Sequence, residues 1–115
     1  MDSQELANIC AEVIYRQKGE EIVLLNIAEL SDVADYFVIA TATSPVHIKA
    51  IANEIEHSLR KAGVRVHHIE GLSALKWVVL DYLDVIVHIF LPQTREFYSL
   101  EDYWADAPQE ELYAE

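Results

Sequence analysis

Two apolar runs, Trp77 to Leu80 and Val85 to Phe90, flank the acidic turn Asp81-Tyr82-Leu83-Asp84, and Pro92 follows almost at once. Strand-forming residues on both sides of a short turn specify an antiparallel hairpin. Pro92 bars the second strand from continuing in the middle of a sheet. A hairpin this apolar needs a sheet core around it. Yet Asp81, Tyr82, Asp84 and His88 place polar groups in or beside it, and buried polar groups need partners.

The rest of the chain supplies the sheet. Leu6, Ile9, Cys10, Val13 and Ile14 recur at helical spacing, with Asp2 or Ser3 as cap and Gly19 as a left-handed stop after Lys18. Ile22 to Ile27 reads as a buried strand and Tyr36 to Thr41 as a second. Ser44-Pro45 opens a helix whose inner face is Ile48, Ile51, Ala52, Ile55 and Leu59, and Gly63 closes it. Val64 to Ile69 alternates as a third strand. After the hairpin, Thr94 to Trp104 reads as a short helix, and Ala105 to Glu115 as a loose tail. The order α-β-β-α-β-β-β-α predicts a single α/β domain spanning residues 1–115, with a mixed five-stranded sheet, flanking helices and an acidic tail from about residue 106. The strands on either side of the central helix are expected to be parallel neighbours.

Composition narrows the function. A length of 115 residues suits one core. The net charge of −12 repels free nucleic acid and anionic membranes and favours basic partners. Glu96 to Glu115 contains seven acids and no Lys or Arg. No apolar run is long enough to cross a bilayer, and the acidic start Met1-Asp2-Ser3-Gln4-Glu5 does not read as a leader, so the expected compartment is the cytoplasm. The single cysteine, Cys10, lies on the helix's apolar stripe and reads as core rather than nucleophile.

Candidate chemistry is sparse. Asp81 and Asp84 could hold a divalent ion or share a proton, but Asp is also a common turn residue, and no glycine-rich phosphate loop accompanies the pair. His67 and His68 are adjacent on a strand and face opposite ways. His47 and His57 are nearly three helical turns apart. His88 reads as a core or interface histidine with a backbone partner, so no metal site is expected. Thr41, Thr43 and Ser44 precede a helix and could bind an anion, although capping explains Ser44. No Gly-x-Ser-x-Gly elbow exists. Trp77, Tyr82, Phe97, Tyr98, Tyr103 and Trp104 are more large rings than a small sheet can bury, and exposed rings rimmed by acids form a protein-binding patch.

Several segments together resemble the ribosomal silencing factors of the Iojap family. They are Asp35 to Ser44, His47 to Ala50, Glu70-Gly71, Trp77 to Tyr82, Asp84 to Phe90, Arg95 to Tyr98, Leu100, Trp104 and Asp106 to Pro108. The resemblance implies a nucleotidyltransferase-like fold without catalytic residues, metal or cofactor. It implies binding to the large ribosomal subunit through a basic ribosomal protein, number fourteen, and occlusion of the face where the small subunit docks. By position, the implied contact residues are Trp77, Asp81, Tyr82, His88 and Tyr98, with Glu70 and Lys76 nearby. This chain departs from the family pattern with Ala42 and Leu83 where glycine is usual and Lys76 where an acid is usual. Two other readings remain at this point: a metal-dependent nucleotidyltransferase-like enzyme using Asp81 and Asp84, and a homodimer masking the same apolar face.

Overall fold

The structure, a computed structural model, describes residues 1–114. The elements are α1 (Ser3–Arg16), β1 (Glu20–Asn26), β2 (Tyr36–Thr41), α2 (Pro45–Lys61), β3 (His68–Glu70), β4 (Trp77–Asp81), β5 (Val85–Phe90), α3 (Pro92–Tyr98), α4 (Leu100–Tyr103) and β6 (Gln109–Leu112). The strands form one mixed sheet in the order β3-β4-β5-β2-β1-β6. Only β2 and β5 pair in parallel, and every other neighbouring pair is antiparallel.

The sheet has two unlike faces. On one, α1 and α2 pack against Val38, Ala40, Val78, Leu80, Val85, Val87 and Ile89 to form the larger core. On the other, Val23, Leu25, Phe37, Ile39, Ile86 and Phe90 form a smaller core under Leu100, Trp104 and Ala107. All six residues of β5 are buried, which is why Val85 to Phe90 is apolar at every position but His88 rather than alternating.

Local signals account for the helices. Asp2 caps α1 by accepting from the Glu5 N–H at 2.8 Å, and Ser44 caps α2 by accepting from the His47 N–H at 3.1 Å. The stop of α1 differs from expectation. Lys18, not Gly19, takes the left-handed conformation (φ 65), and Gly19 donates to the Ile14 carbonyl at 2.8 Å. Gly19 is required for space, because a Cβ there would collide with Ile14 Cγ2.

Four further expectations are corrected. The sheet has six strands, not five, because Gln109–Leu112 pairs antiparallel with β1 and the tail is not loose there; Glu115 lies outside the described residues. The strand after α2 is only His68–Glu70, since as an edge strand it pairs on one side alone, with β4. It runs in the same direction as β2 through the alternation β4–β5, but β4 and β5 lie between them, so the two are not neighbours. Finally, Ser99 (φ 46, ψ 53) breaks the C-terminal helix into α3 and α4.

Candidate protein-binding surface

Strand parity decides which residues of the hairpin meet. Trp77, Val79 and Asp81 pair with Phe90, His88 and Ile86, and all six point to the face away from α1 and α2. Trp77 stacks on Phe90 at 4.8 Å between ring centroids and tilts against Tyr98 of α3 at 4.7 Å. Its indole N–H donates to His88 Nδ1 at 3.1 Å. The partner of His88 is therefore a side chain and not the backbone group expected. That bond leaves the proton on Nε2, which is buried without a protein acceptor. Burial disfavours the imidazolium and pulls the His88 pKa down to about 4. His88 is thus a neutral post that orients the Trp77 ring.

Around Trp77 lies an open groove of about 720 Å³, walled by Pro45, Lys76, Trp77, Leu91, Pro92, Phe97 and Tyr98. Phe97 is 80 % exposed, Tyr98 52 % and the neighbouring Val46 78 %. Rings and aliphatic groups this exposed are a binding patch rather than unfinished core. The hairpin and the start of α2 hold the groove walls on regular elements. Gly71 (φ 92) lets the preceding loop press against β4, since a Cβ there would strike the Trp77 carbonyl oxygen.

The residues singled out in the sequence divide. Trp77, His88 and Tyr98 come together, and Lys76 is exposed on the groove wall. Glu70 is exposed opposite Val79, on the same face as His88, and its carboxylate accepts from His68 Nε2 at 2.9 Å. Asp81 is half-buried on that face, and its Oδ1 accepts from the Leu83 N–H at 2.7 Å, so one of its oxygens serves the turn. Tyr82 does not join them. It is buried in the core on the α1–α2 face, its hydroxyl has no partner, and burial raises its pKa above the ordinary range. Trp77 and Tyr82 are five apart along one strand direction, an odd spacing that already places them on opposite faces.

Leu83 takes φ 71, so the hairpin carries the left-handed strain that a glycine would relieve. Ala42 is fully buried and its φ is not positive, so alanine there is unstrained. The possible anion site before α2 is occupied by scaffold bonds. The Thr43 N–H donates to His47 Nδ1 at 3.0 Å, His47 Nε2 donates to the Gln17 carbonyl at 2.7 Å, and Thr41 Oγ1 accepts from Arg95 at 2.9 Å. Cys10 is fully buried and its thiol is pushed up to about 12 by desolvation, an inert state. Among the described residues, no cluster of three or more His, Cys, Asp or Glu has metal-binding geometry.

Two residues have roles that the sequence does not single out. Phe97, the most exposed ring in the groove, was one aromatic among several. Arg95 is buried and holds α3 in place. Its guanidinium donates to the Glu21 carbonyl at 2.7 Å, to Thr41 Oγ1, and through two nitrogens to Glu101 Oε2 at 3.1 and 2.8 Å. The available signal was an arginine standing alone before a run of acids.

The family model described as "Ribosomal silencing factor during starvation" matches residues 1–115. The chain belongs to the ribosomal silencing factor family. Membership places it among ribosome-associated regulators of translation. A ribosomal silencing factor of Halalkalibacterium halodurans is 36 % identical over 112 residues, covering 97 % of this chain and 96 % of the relative. The crystal structure of a Chromobacterium violaceum protein superposes with TM-score 0.89 at 31 % identity, covering 99 % of this chain and 95 % of that one. A more distant mouse relative, named mitochondrial assembly of ribosomal large subunit protein 1, is 27 % identical over 100 residues, covering 84 % of this chain and 44 % of the relative. The rings of the groove, Trp77, Phe97 and Tyr98, all lie within the stretch that the family model matches.

Proposed function

We propose that this protein represses translation by seating the Trp77–Phe97–Tyr98 groove on the large ribosomal subunit, through the basic ribosomal protein numbered fourteen, and so blocking the small subunit from joining. The observation that supports this is a pair of exposed rings, Phe97 and Tyr98, set beside the half-buried Trp77 where α3 meets the hairpin. Buried rings at the centre of an interface carry most of its energy, and the acidic surface accelerates encounter with a basic partner. Glu70 and Asp81 supply carboxylates on the same face, while Lys76 introduces a positive charge at the groove wall. Occlusion requires no catalysis, metal or cofactor, and the site of action is the cytoplasm. The name of the mouse relative, with its large ribosomal subunit, favours that subunit over the small one. In the free protein the same rings would be covered in a homodimer.

Co-sedimentation of the purified protein with isolated subunits tests the proposal. The protein should pellet with large subunits, not with small subunits or naked RNA, and binding should fall as salt rises. Equal recovery with both subunits overturns it.

A further inference from the structure

The edge of the sheet opposite the hairpin has its own chemistry. β6 is the terminal strand, and no strand among the described residues pairs with its outer side. Its register with β1 is Ile22–Leu112, Val23–Glu111, Leu24–Glu110 and Leu25–Gln109, and the Asn26 N–H donates to the Pro108 carbonyl at 3.0 Å. Antiparallel hydrogen bonding alternates along a strand. The main-chain groups of Glu110 and Leu112 therefore turn toward β1. Those of Gln109 and Glu111 turn outward, open to a further strand. Beside this edge runs a cleft of about 530 Å³ with Glu20, Glu21, Glu101 and Glu111 on its walls. The one Lys or Arg lining it is Arg95, whose guanidinium is already paired with Glu101. Tyr15 and Tyr113 stack over the cleft at 4.3 Å and 11° between ring planes, a flat aromatic wall on which a guanidinium or ammonium can lie.

We infer that the outer edge of β6 accepts an extended, lysine- and arginine-rich segment of a partner protein as an added strand. Main-chain bonds from Gln109 and Glu111 provide the pairing, and the carboxylates on both faces of β6 choose the charge of the guest. Edge-to-edge pairing with a second copy would set Glu110 and Glu111 against their own kind, an arrangement that discourages self-association. A phosphate backbone meets the same repulsion. Three strands, β5, β2 and β1, separate this edge from β4, so the inference does not depend on what the aromatic groove binds.

The probe is a fluorescent, acetylated and amidated peptide, Lys-Val-Lys-Val-Lys-Val-Lys, titrated against the whole chain by anisotropy and by amide-resolved NMR. Its control N-methylates the central valine and the lysine after it, which keeps the charge and removes a ladder donor whichever residues pair. The alternating peptide should bind and shift the amides of Gln109 and Glu111 most. The N-methylated peptide should bind at least about tenfold more weakly. The Glu111→Pro variant should lose binding to the same degree, since its N–H faces outward and is not needed for pairing with β1. The Glu110→Lys/Glu111→Lys variant, which keeps the strand, should also lose it. Equal binding of both peptides, amide shifts centred on the Trp77 hairpin instead, or a dimer in sedimentation that Glu111→Pro abolishes would each overturn the inference.

Discussion

Replacing His88 by glutamine tests whether the orienting post of the groove is held neutral by burial. Glutamine can still accept from the Trp77 indole but does not titrate. The folded pKa of His88 lies at about 4, against 6.5 for the free side chain. Between those values the unfolded chain holds a proton that the folded chain excludes, so acidification favours unfolding. The stabilising contribution is complete above the unfolded pKa. It is lost progressively as pH falls from about 6.5 to about 4, and it levels off below that. At 1.36 kcal/mol per pKa unit, the gap amounts to about 3 kcal/mol across the window. No discount for solvent applies, because the ring is only 5 % exposed. Urea titrations of the native protein and of His88→Gln at several pH values between 7.5 and 4 measure it. Each carries the same other titrating groups, so the difference between the two stabilities isolates His88. That difference should shrink by about 2 kcal/mol between pH 7 and pH 5 and continue to shrink toward pH 4. Parallel stability curves for the two proteins would refute the reasoning, and would mean that His88 is protonated in the fold or reached by water.

The other predictions concern single side chains. Trp77→Ala should cost about 2 kcal/mol or more of large-subunit affinity, measured by competition co-sedimentation, and a loss of stability with affinity per folded molecule unchanged would remove Trp77 as an anchor. Tyr82→Phe removes a buried hydroxyl that has no partner; thermal stability should hold or rise by up to about 1 kcal/mol, and subunit binding should not change, whereas weakened binding would put Tyr82 at the interface. Leu83→Gly should raise stability by about 1 kcal/mol by relieving the positive φ, read as a higher urea midpoint at constant slope; a lower midpoint contradicts the strain. Asp81→Lys should abolish large-subunit binding, with partial rescue when a basic residue of the partner is reversed to an acid, and failure of every such rescue would confine Asp81 to its turn.

Much of the architecture was legible because its causes are local. Ser44-Pro45 and Gly63 bound α2 through capping groups within a few residues of its ends, and the burial of β5 on both faces follows from a run that is apolar at every position but His88. The segments from Trp77 to Phe90 and from Arg95 to Tyr98 carried the family signal for the same reason: they are contiguous. What tertiary structure decided depends on groups distant in the chain. Gln109–Leu112 is polar and has no strand pattern of its own; it becomes β6 only because β1 offers an unpaired edge more than eighty residues upstream. His88 finds its partner in Trp77 because β4 and β5 set Val79 opposite His88 and bring the indole within reach. Arg95 can be buried because Glu21, Thr41 and Glu101 converge on it from three elements. Which aromatics stay exposed was also a tertiary outcome. Hydrophobicity marks a ring as able to be buried, but α1 and α2 cover one face of the sheet while the short helices α3 and α4 cover only part of the other. Tyr82 therefore lies in the core, and Phe97 and Tyr98 remain in water.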